Sequence, residues 1–240
     1  MKIRSIYSPN FNEKSRSNKS IKFLIIHYTG MQSERESIIK LCNSKSKVSS
    51  HFVINQKGKI YRLVQDNQIA WHAGKSCWGK YKNLNKTSIG IELVNKGHKF
   101  GYTNFKKKQL SSLIKICKNL IRKYRIKKQN IVGHSDVAPL RKIDPGEKFP
   151  WKELAYEKIG IWHNCNTKIL KKLRKVRISS KFKLEFINNL KKIGYYFDNK
   201  KKANFAKVIK AFQRHYRKKL INGIIDKECL LISKNILKKI

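Results

Sequence analysis

Two kinds of hydrophobic pattern alternate over the first 160 residues of the chain. The runs IKFLIIHY (21–28) and TSIGIELV (87–94) are almost continuously apolar, which is typical of strands buried on both faces. HFVI and KIYRLV flank NQKG and predict a β-hairpin around Gly58. A shorter run, IVGH (131–134), predicts a further strand edge, and a loop rich in turn residues follows it.

Two amphipathic helices are predicted between these strands. Ser33, followed three residues later by Glu36, forms a capping signal ahead of a short apolar stripe. From about Lys107 to Tyr124, apolar residues recur at the i, i+3, i+4, i+7 spacing of a helix, with Lys and Arg between them. Strands interleaved with helices predict an α/β fold with a mixed central sheet flanked by helices, ending near residue 160.

The C-terminal part has a different pattern. Residues 164–179 are polar and basic and are interpreted as a linker, and three short helical stripes follow over residues 180–240. These stripes predict a small three-helix domain, which would be only marginally stable alone. The predicted division is therefore a polar N-terminal segment (1–20), an α/β domain (21–163), the linker and the three-helix domain.

The charge balance is strongly basic. The chain has 57 Lys+Arg against 14 Asp+Glu, a formal net charge of +43. Such a charge attracts polyanions but says nothing about fold. Because Lys, Ile and Asn all have A/T-rich codons, genome composition is an alternative origin for the charge. The basic residues are scattered instead of clustered with aromatics, so no specific nucleic-acid partner is predicted.

Cysteine spacing and the N-terminus bear on the compartment. The five cysteines contain no C-x-x-C pair, so neither a disulfide framework nor a cysteine zinc knuckle is predicted. The N-terminus lacks the apolar segment and cleavage site of a signal peptide, and no run of 18 apolar residues predicts a transmembrane segment. These features predict a cytoplasmic protein, with a periplasmic or secreted location by an unrecognised route as the alternative. The oligomeric state is not predicted.

Two of the seven histidines are candidates for chemistry. His27 and His134 each end an apolar run and would be held rigidly at a sheet edge, and Asp144 follows in a constrained loop. Two imidazoles and one carboxylate leave a fourth tetrahedral position on Zn²⁺ open, which is the catalytic arrangement. This spacing alone is a weak signal. His98, His163 and His215 lie in polar or basic segments and are predicted to be solvated.

The order of motifs is far more specific than this spacing. IIHYT, SSHFVI, IAWHAG, TSIGIELVN, VGHSDVAP, RKIDPG and FPW together resemble the zinc-dependent N-acetylmuramoyl-L-alanine amidase family (amidase type 2), and within it the AmiD and AmpD branch. The resemblance covers roughly residues 20–160. GYYF and VIKAFQRHYR, with NGIID, are similar to the peptidoglycan-binding three-helix domain of AmiD-like proteins.

The resemblance implies a bacterial zinc hydrolase with one Zn²⁺ ion per chain. It implies that the zinc ligands are His27, His134 and Asp144, and that the catalytic residues are Glu92 and Lys142. IAWHAG resembles a segment lining the substrate cleft, so the predicted substrate contacts are Trp71, His72 and Ala73. A structural aromatic and a satisfied histidine would give the same pattern. His51 is predicted to pack beside the metal, and Trp78 and Trp151 are predicted to be core or rim aromatics.

Amide hydrolysis near neutral pH needs the same kinds of group. Zinc lowers the pKa of bound water to about 7 and polarises the carbonyl. A carboxylate such as Glu92 can move a proton from water to the leaving nitrogen, and a lysine such as Lys142 can stabilise the oxyanion. Burying Glu92 within SIGIELV would be costly without a role or partner. For Lys142 only its place in KIDPG distinguishes it from the many other lysines.

The predicted function is zinc-dependent hydrolysis of the amide bond between N-acetylmuramic acid and L-alanine in peptidoglycan or muropeptides. The three-helix domain would hold the polymer and raise the local substrate concentration. The missing signal peptide favours recycling of anhydro-muropeptides, whereas the wall-binding domain favours the intact sacculus. The alternative from another class is a non-catalytic binder of peptidoglycan, or of nucleic acid through the basic surface.

Overall fold

The computed structural model describes residues 2–198 and 202–240. Ten strands occur in these residues, most of them short. They are β1 (Ile3–Ser5), β2 (Phe11–Asn12), β3 (Phe23–Tyr28), β4 (Phe52–Ile54), β5 (Ile60–Arg62), β6 (Ile69–Ala70), β7 (Cys77–Trp78), β8 (Tyr81–Lys82), β9 (Ser88–Leu93) and β10 (Ile131–Gly133).

Six of these strands form the central sheet, in the order β1-β5-β4-β9-β3-β10. The β4–β5 hairpin around Gly58 is antiparallel, and the other neighbours pair in parallel. The mixed α/β architecture predicted from the sequence is therefore confirmed. The two apolar runs became the adjacent central strands β3 and β9, which agrees with their near-continuous hydrophobicity.

The helices cover both faces of the sheet and build the C-terminal part. They are α1 (Glu34–Cys42), α2 (Lys107–Tyr124), α3 (His134–Val137), α4 (Trp151–Tyr156), α5 (Thr167–Leu173), α6 (Ser180–Ile193), α7 (Phe205–Tyr216) and α8 (Lys227–Leu237). The Ser33 hydroxyl accepts the backbone N–H of Glu36, as the capping signal predicted. Among the described helices, none combines the length and hydrophobicity needed to cross a bilayer.

Alternate side chains of β3 pack against different partners. Leu24 and Ile26 join an apolar cluster with the inner stripe of α2. Phe23 and Ile25 join a second cluster that extends to Phe186 and to other residues of α6–α8. The helices α6–α8 therefore share one hydrophobic core with the sheet, and they lie on the sheet face to which His27 also points.

The two segments interpreted as a polar N-terminal segment and a linker contain regular elements. Within residues 1–20, β1 forms the edge of the central sheet and β2 pairs with β6. Within residues 164–179, α5 buries Leu170, and Arg174 donates two hydrogen bonds of 2.7 Å to Glu228. Local hydrophobicity did not predict either segment because their order comes mainly from pairing with distant residues.

The prediction for the solvated histidines is right for one and wrong for two. His98 is exposed, whereas His163 and His215 are buried at 8% and 4% exposure. His215 lies between aromatic rings, and His163 packs against Trp162, so tertiary contacts override the polar local sequence. Trp78 and Trp151 are core residues, as predicted, and all five cysteines are free.

Candidate active site

The pairing of two central strands positions the first two site residues. In the parallel β3–β9 register, His27 lies directly opposite Glu92. Directly paired residues project from the same face of a sheet, so both side chains point into the same cleft. The neighbouring strand β10 ends at Gly133, and His134 begins the short helix α3 instead of ending a strand. The loop after α3 returns to place Asp144 beside both histidines.

His27, His134 and Asp144 form a compact buried triangle. The two Nδ1 atoms lie 2.9 Å apart, and each lies 3.1 Å from Oδ2 of Asp144. Exposure of the three residues is between 1% and 7%. Ligand atoms bound tetrahedrally to zinc at their usual distances are about 3.3 Å apart. The residues present therefore match the size of a zinc site.

The Nε2 atoms of His27 and His134 point away from the triangle, and their hydrogen-bond partners determine the tautomer of each ring. His134 Nε2 lies 3.2 Å from the carbonyl oxygen of Ala73, which can only accept a hydrogen bond. His134 therefore carries its proton on Nε2 and directs the Nδ1 lone pair inward. Burial and the neighbouring His134 lower the pKa of His27 to about 4, which favours the neutral, metal-binding form.

His27 is oriented by a chain of hydrogen bonds that has one allowed direction. The Ser88 hydroxyl donates to the Leu84 carbonyl at 2.6 Å, so Ser88 Oγ accepts from His72 Nε2 at 3.2 Å. Neutral His72 then has a bare Nδ1, which accepts the proton of His27 Nε2 at 3.1 Å. The pKa of His72 is well below its ordinary value because of burial and the adjacent histidines.

The inward-facing atoms thus present three lone pairs to one point. Bare Nδ1 atoms of His27 and His134, together with the carboxylate of Asp144, repel one another unless a cation lies between them. Although burial opposes its ionisation, the two histidines hold the pKa of Asp144 below its ordinary value. The donor set and its geometry both fit a divalent metal.

A glycine makes room for this arrangement. Gly90 lies under the His72 ring, and a Cβ atom at position 90 would lie 2.5 Å from the imidazole. His51 fixes the same region, because its Nδ1 accepts the Gly90 N–H at 3.1 Å and its ring contacts His72 edge-on. His51 thus supports His72, which stands between it and the His27 cluster.

Glu92 is the second carboxylate of the cleft. Its Oε2 is buried and has no hydrogen-bond partner within the described part of the chain. Burial, followed by the nearby Asp144, raises the pKa of Glu92 to about 8, while Lys142 and Lys40 oppose this rise. Lys142 is half-buried and lines the same cleft. A carboxyl group with an unused oxygen is suited to transferring a proton.

The cleft above the triangle has a volume of about 290 Å³. Trp71 and His72 line it, together with the basic side chains of Lys40, Arg141 and Lys142. The β2–β6 pair holds Trp71 at the rim, where its Nε1 donates to Asn12 at 2.8 Å. The N-terminal segment thus shapes the cleft.

The prediction for Ala73 as a substrate contact needs correction. Its side chain is fully buried, and its carbonyl oxygen accepts hydrogen bonds from His134 and Arg141. Ala73 therefore orients a triangle residue from below the cleft. His72 lines the cleft but is only 8% exposed, with both nitrogens engaged, so its contact with substrate stays a prediction.

Several site residues were not found by sequence reasoning. Lys40 and Arg141 gave no signal among so many basic residues, and Ser88 and Asn85 are polar residues in ordinary surroundings. Asn85 accepts the backbone N–H groups of His72 and Ala73 at 3.2 and 2.6 Å, which fixes the WHAG segment. Arg141 directly precedes Lys142 in the RKIDPG motif, and this position was the only sequence feature that could have indicated a role for Arg141.

A mixed sheet that brings this triangle, the Glu92 carboxylate and a lysine into one open cleft fits an enzyme of the hydrolase class. Residues 17–147 match the N-acetylmuramoyl-L-alanine amidase family. The chain belongs to this family.

Two curated relatives and a solved structure support this membership. The chain is 36% identical to N-acetylmuramoyl-L-alanine amidase AmiD of Escherichia coli, with 91% of this chain and 83% of that protein covered. It is 32% identical to 1,6-anhydro-N-acetylmuramyl-L-alanine amidase AmpD of Haemophilus influenzae, over 62% of this chain and 88% of that protein. The structure of E. coli AmiD with the substrate anhydro-N-acetylmuramic acid-L-Ala-D-gamma-Glu-L-Lys superposes with a TM-score of 0.81 at 34% identity, covering 95% and 92% of the two chains.

Proposed function

We propose that the protein hydrolyses the amide bond between N-acetylmuramic acid and L-alanine in bacterial peptidoglycan or muropeptides. The observation that carries the proposal is the convergence of His27, His134 and Asp144 at the floor of a cleft that also holds Glu92 and Lys142. Membership of the amidase family and the likeness to E. coli AmiD give the bond and the substrate class.

One zinc ion would be held by His27 Nδ1, His134 Nδ1 and Asp144 Oδ2. The support is the size of the triangle and the three lone pairs that face its centre. Bound zinc supplies Lewis acidity, which activates water near neutral pH and polarises a carbonyl group.

The chain's own residues supply the proton transfers and part of the charge stabilisation. In its ionised form, Glu92 accepts the proton of the attacking water at its free Oε2 and returns it to the departing nitrogen of L-alanine. The Lys142 ammonium group places a positive charge in the cleft, where it stabilises the oxyanion that develops on the carbonyl.

The rim of the cleft fits an anionic peptide. Lys40 and Arg141 are exposed and basic, and Trp71 offers an aromatic surface beside them. The AmiD ligand contains a γ-linked glutamate, which keeps a free carboxylate next to the peptide bond. Carboxylates of the stem peptide would pair with these cations, and this pairing gives part of the basic charge a function.

The helices α6–α8 are proposed to bind peptidoglycan. Their sequence resembles a wall-binding domain, and the match to E. coli AmiD extends over this part of the chain. The division between intact sacculus and anhydro-muropeptide as substrate, like the compartment, stays a prediction. Parallel digestion of both substrates, followed by mass spectrometry, separates the two possibilities.

The proposed function is tested by incubating purified protein with anhydro-muropeptides. We expect release of free stem peptide, loss of activity after treatment with a zinc chelator, and recovery with one equivalent of zinc. Mass spectrometry of the products identifies the bond that is cleaved. Undiminished activity of the metal-free protein would contradict the zinc assignment, and intact substrate throughout would support the non-catalytic alternative.

Removing the acceptor that orients His27 should weaken zinc binding. Replacing His72 with leucine leaves the His27 Nε2 proton without a partner and frees the ring to turn. Partners of metal-bound histidines typically contribute about 10–100-fold to metal affinity, so we expect a loss of that size. The dissociation constant is measured by competition with a chromophoric chelator.

The His72→Asn variant is the matched control. Its side-chain oxygen can occupy the position of Nδ1 and accept the same proton, so we expect a smaller loss of zinc affinity than in His72→Leu. Equal affinities of wild type and His72→Leu would show that this hydrogen bond does not orient His27.

A further inference from the structure

A buried carboxylate joins the C-terminal helices to the metal triangle. Asp136 is 1% exposed and accepts three hydrogen bonds of 2.7 Å. One comes from the Gly133 N–H, directly before His134. The other two come from the Tyr195 hydroxyl, just after α6, and from His215 Nδ1 on α7. Two of its three donors therefore belong to the part of the chain that was expected to be a separate domain.

Asp136 lies within the element that positions two of the proposed metal ligands. It is the third residue of α3, which His134 begins, and it fixes the backbone at Gly133. In the same helix, the Ser135 N–H donates to the Asp144 carbonyl oxygen at 2.8 Å. A displacement of α3 would therefore move both His134 and Asp144.

Aromatic packing holds the two donors rigidly against Asp136. The His215 ring is stacked between Trp151 and Tyr216, with centroids 3.9 and 4.0 Å away and interplanar angles of 15°. Tyr195 packs edge-on against Trp78 at 4.8 Å. Rigid packing of this kind limits the positions that Asp136 can take.

The backbone adds a contact beside Tyr195. Gly194 lies so close to the Trp78 indole that a Cβ atom would approach the ring to 2.3 Å, and its carbonyl accepts the Gly79 N–H at 2.7 Å. Its φ of 135° also favours glycine. The end of α6, next to Tyr195, is thereby fixed to the β7–β8 turn.

We propose that Tyr195 and His215 are positioning residues for the metal triangle, which act through Asp136 and α3. The proposal rests on the metal site of the proposed function. It makes the C-terminal helices part of the active-site framework, in addition to any role in holding the polymer. Without these donors, a buried carboxylate would lose two partners beside a ligand-bearing helix, which is costly.

The experiment compares the zinc affinity of the wild-type 240-residue chain with that of Tyr195→Phe, His215→Leu and His215→Asn. Tyr195→Phe removes only a hydroxyl group and keeps the packing, so it tests the contact even if His215→Leu folds poorly. We expect zinc to bind about 5–10-fold more weakly in Tyr195→Phe and His215→Leu, less than the 10–100-fold typical of groups that bond a ligand directly. His215→Asn keeps a donor near Nδ1 and should restore part of the affinity.

A spectroscopic measurement separates positioning from general loss of stability. Cobalt(II) replaces zinc in the same proteins, and its visible absorption reports the ligand geometry. We expect altered band positions in Tyr195→Phe and His215→Leu. The control is Asn189→Ala, which removes the buried hydrogen bond from Asn189 to Ser233 at 3.1 Å between α6 and α8. This control should lower the melting temperature while leaving zinc affinity and the cobalt spectrum unchanged.

The outcomes distinguish this proposal from the function on which it rests. Wild-type zinc affinity and an unchanged cobalt spectrum in both Tyr195→Phe and His215→Leu would overturn the positioning role alone. Weaker zinc binding in Asn189→Ala, equal to that of Tyr195→Phe, would also overturn it, because general destabilisation would then explain the loss. Failure of the wild-type protein to bind zinc would overturn the metal assignment as well.

Discussion

Replacing Glu92 with glutamine is expected to lower kcat by about 10²–10⁴-fold, the usual contribution of a general acid–base group. Glutamine keeps the size of the side chain and its place opposite His27 in the sheet, but it cannot accept and return a proton. The reaction would lose its path for moving a proton from water to the leaving nitrogen. Release of stem peptide from an anhydro-muropeptide, followed by chromatography under saturating substrate, measures the effect.

Two measurements show whether the Glu92→Gln effect is chemical. Zinc content and KM should stay near the wild-type values, because Glu92 is placed in neither the triangle nor the basic rim. The control is Glu157→Gln, which changes a surface glutamate paired with Lys118 and should keep full activity. A Glu92→Gln enzyme with wild-type kcat would refute the assigned role, and one that had lost zinc would point to a structural role instead.

The central sheet was predictable because its strands carry their own signal. Strands β3 and β9 are buried on both faces and so must be apolar at nearly every position, which sets them apart from amphipathic elements. The bounds of α2 also agreed with prediction, since one buried stripe faces the sheet and lysines face solvent. The hairpin predicted around Gly58 is also present, as the antiparallel pair β4–β5.

Elements that depend on distant partners were not predictable in this way. β1 has three residues and gains its order from pairing with β5, about 57 residues later in the chain. α5 is short and basic, and its Arg174 is held by Glu228 on α8. Neither pattern contains enough local hydrophobicity to distinguish these segments from a solvated tail or linker.

The residues of the candidate site also differ in how far the local sequence predicts them. His27, His134 and Glu92 stood out because polar groups beside or within apolar strands are unusual, and the family motifs contain these three residues and Asp144. The residues that orient them did not stand out. His215 lies in the basic sequence QRHYRKK, and only the packing of α7 against α3 reveals that it reaches Asp136. His215 and Asp136 are 79 positions apart, so the local hydrophobic pattern cannot predict their contact.

Replacing Asp144 with asparagine is expected to reduce zinc affinity by more than about 100-fold, beyond the range found for groups that only support a ligand. The amide is neutral, so the two Nδ1 lone pairs and a divalent cation would lose the negative charge that holds them together. Hydrolysis should fall to the background rate at ordinary zinc concentrations. Zinc content by atomic emission and peptide release by chromatography measure the two effects on the same preparation.

The Asp66→Asn variant separates the loss of a ligand from the loss of a buried aspartate. Asp66 is 5% exposed and accepts hydrogen bonds from Lys123 and Tyr124 on α2, but it does not line the cleft. Burial opposes the ionisation of Asp66, but Tyr124, Lys123 and Arg62 lower its pKa below the ordinary value. The replacement of Asp66 should therefore reduce the free energy of unfolding. Because the pKa of Asp66 is lower in the folded protein, its contribution to the free energy of unfolding is fully present above the ordinary aspartate pKa. That contribution is lost as the pH falls through the lowered pKa of the folded state. Asp66→Asn should nevertheless bind zinc and cleave substrate like wild type. An Asp144→Asn protein with full zinc content and wild-type turnover would show that Asp144 is not a zinc ligand.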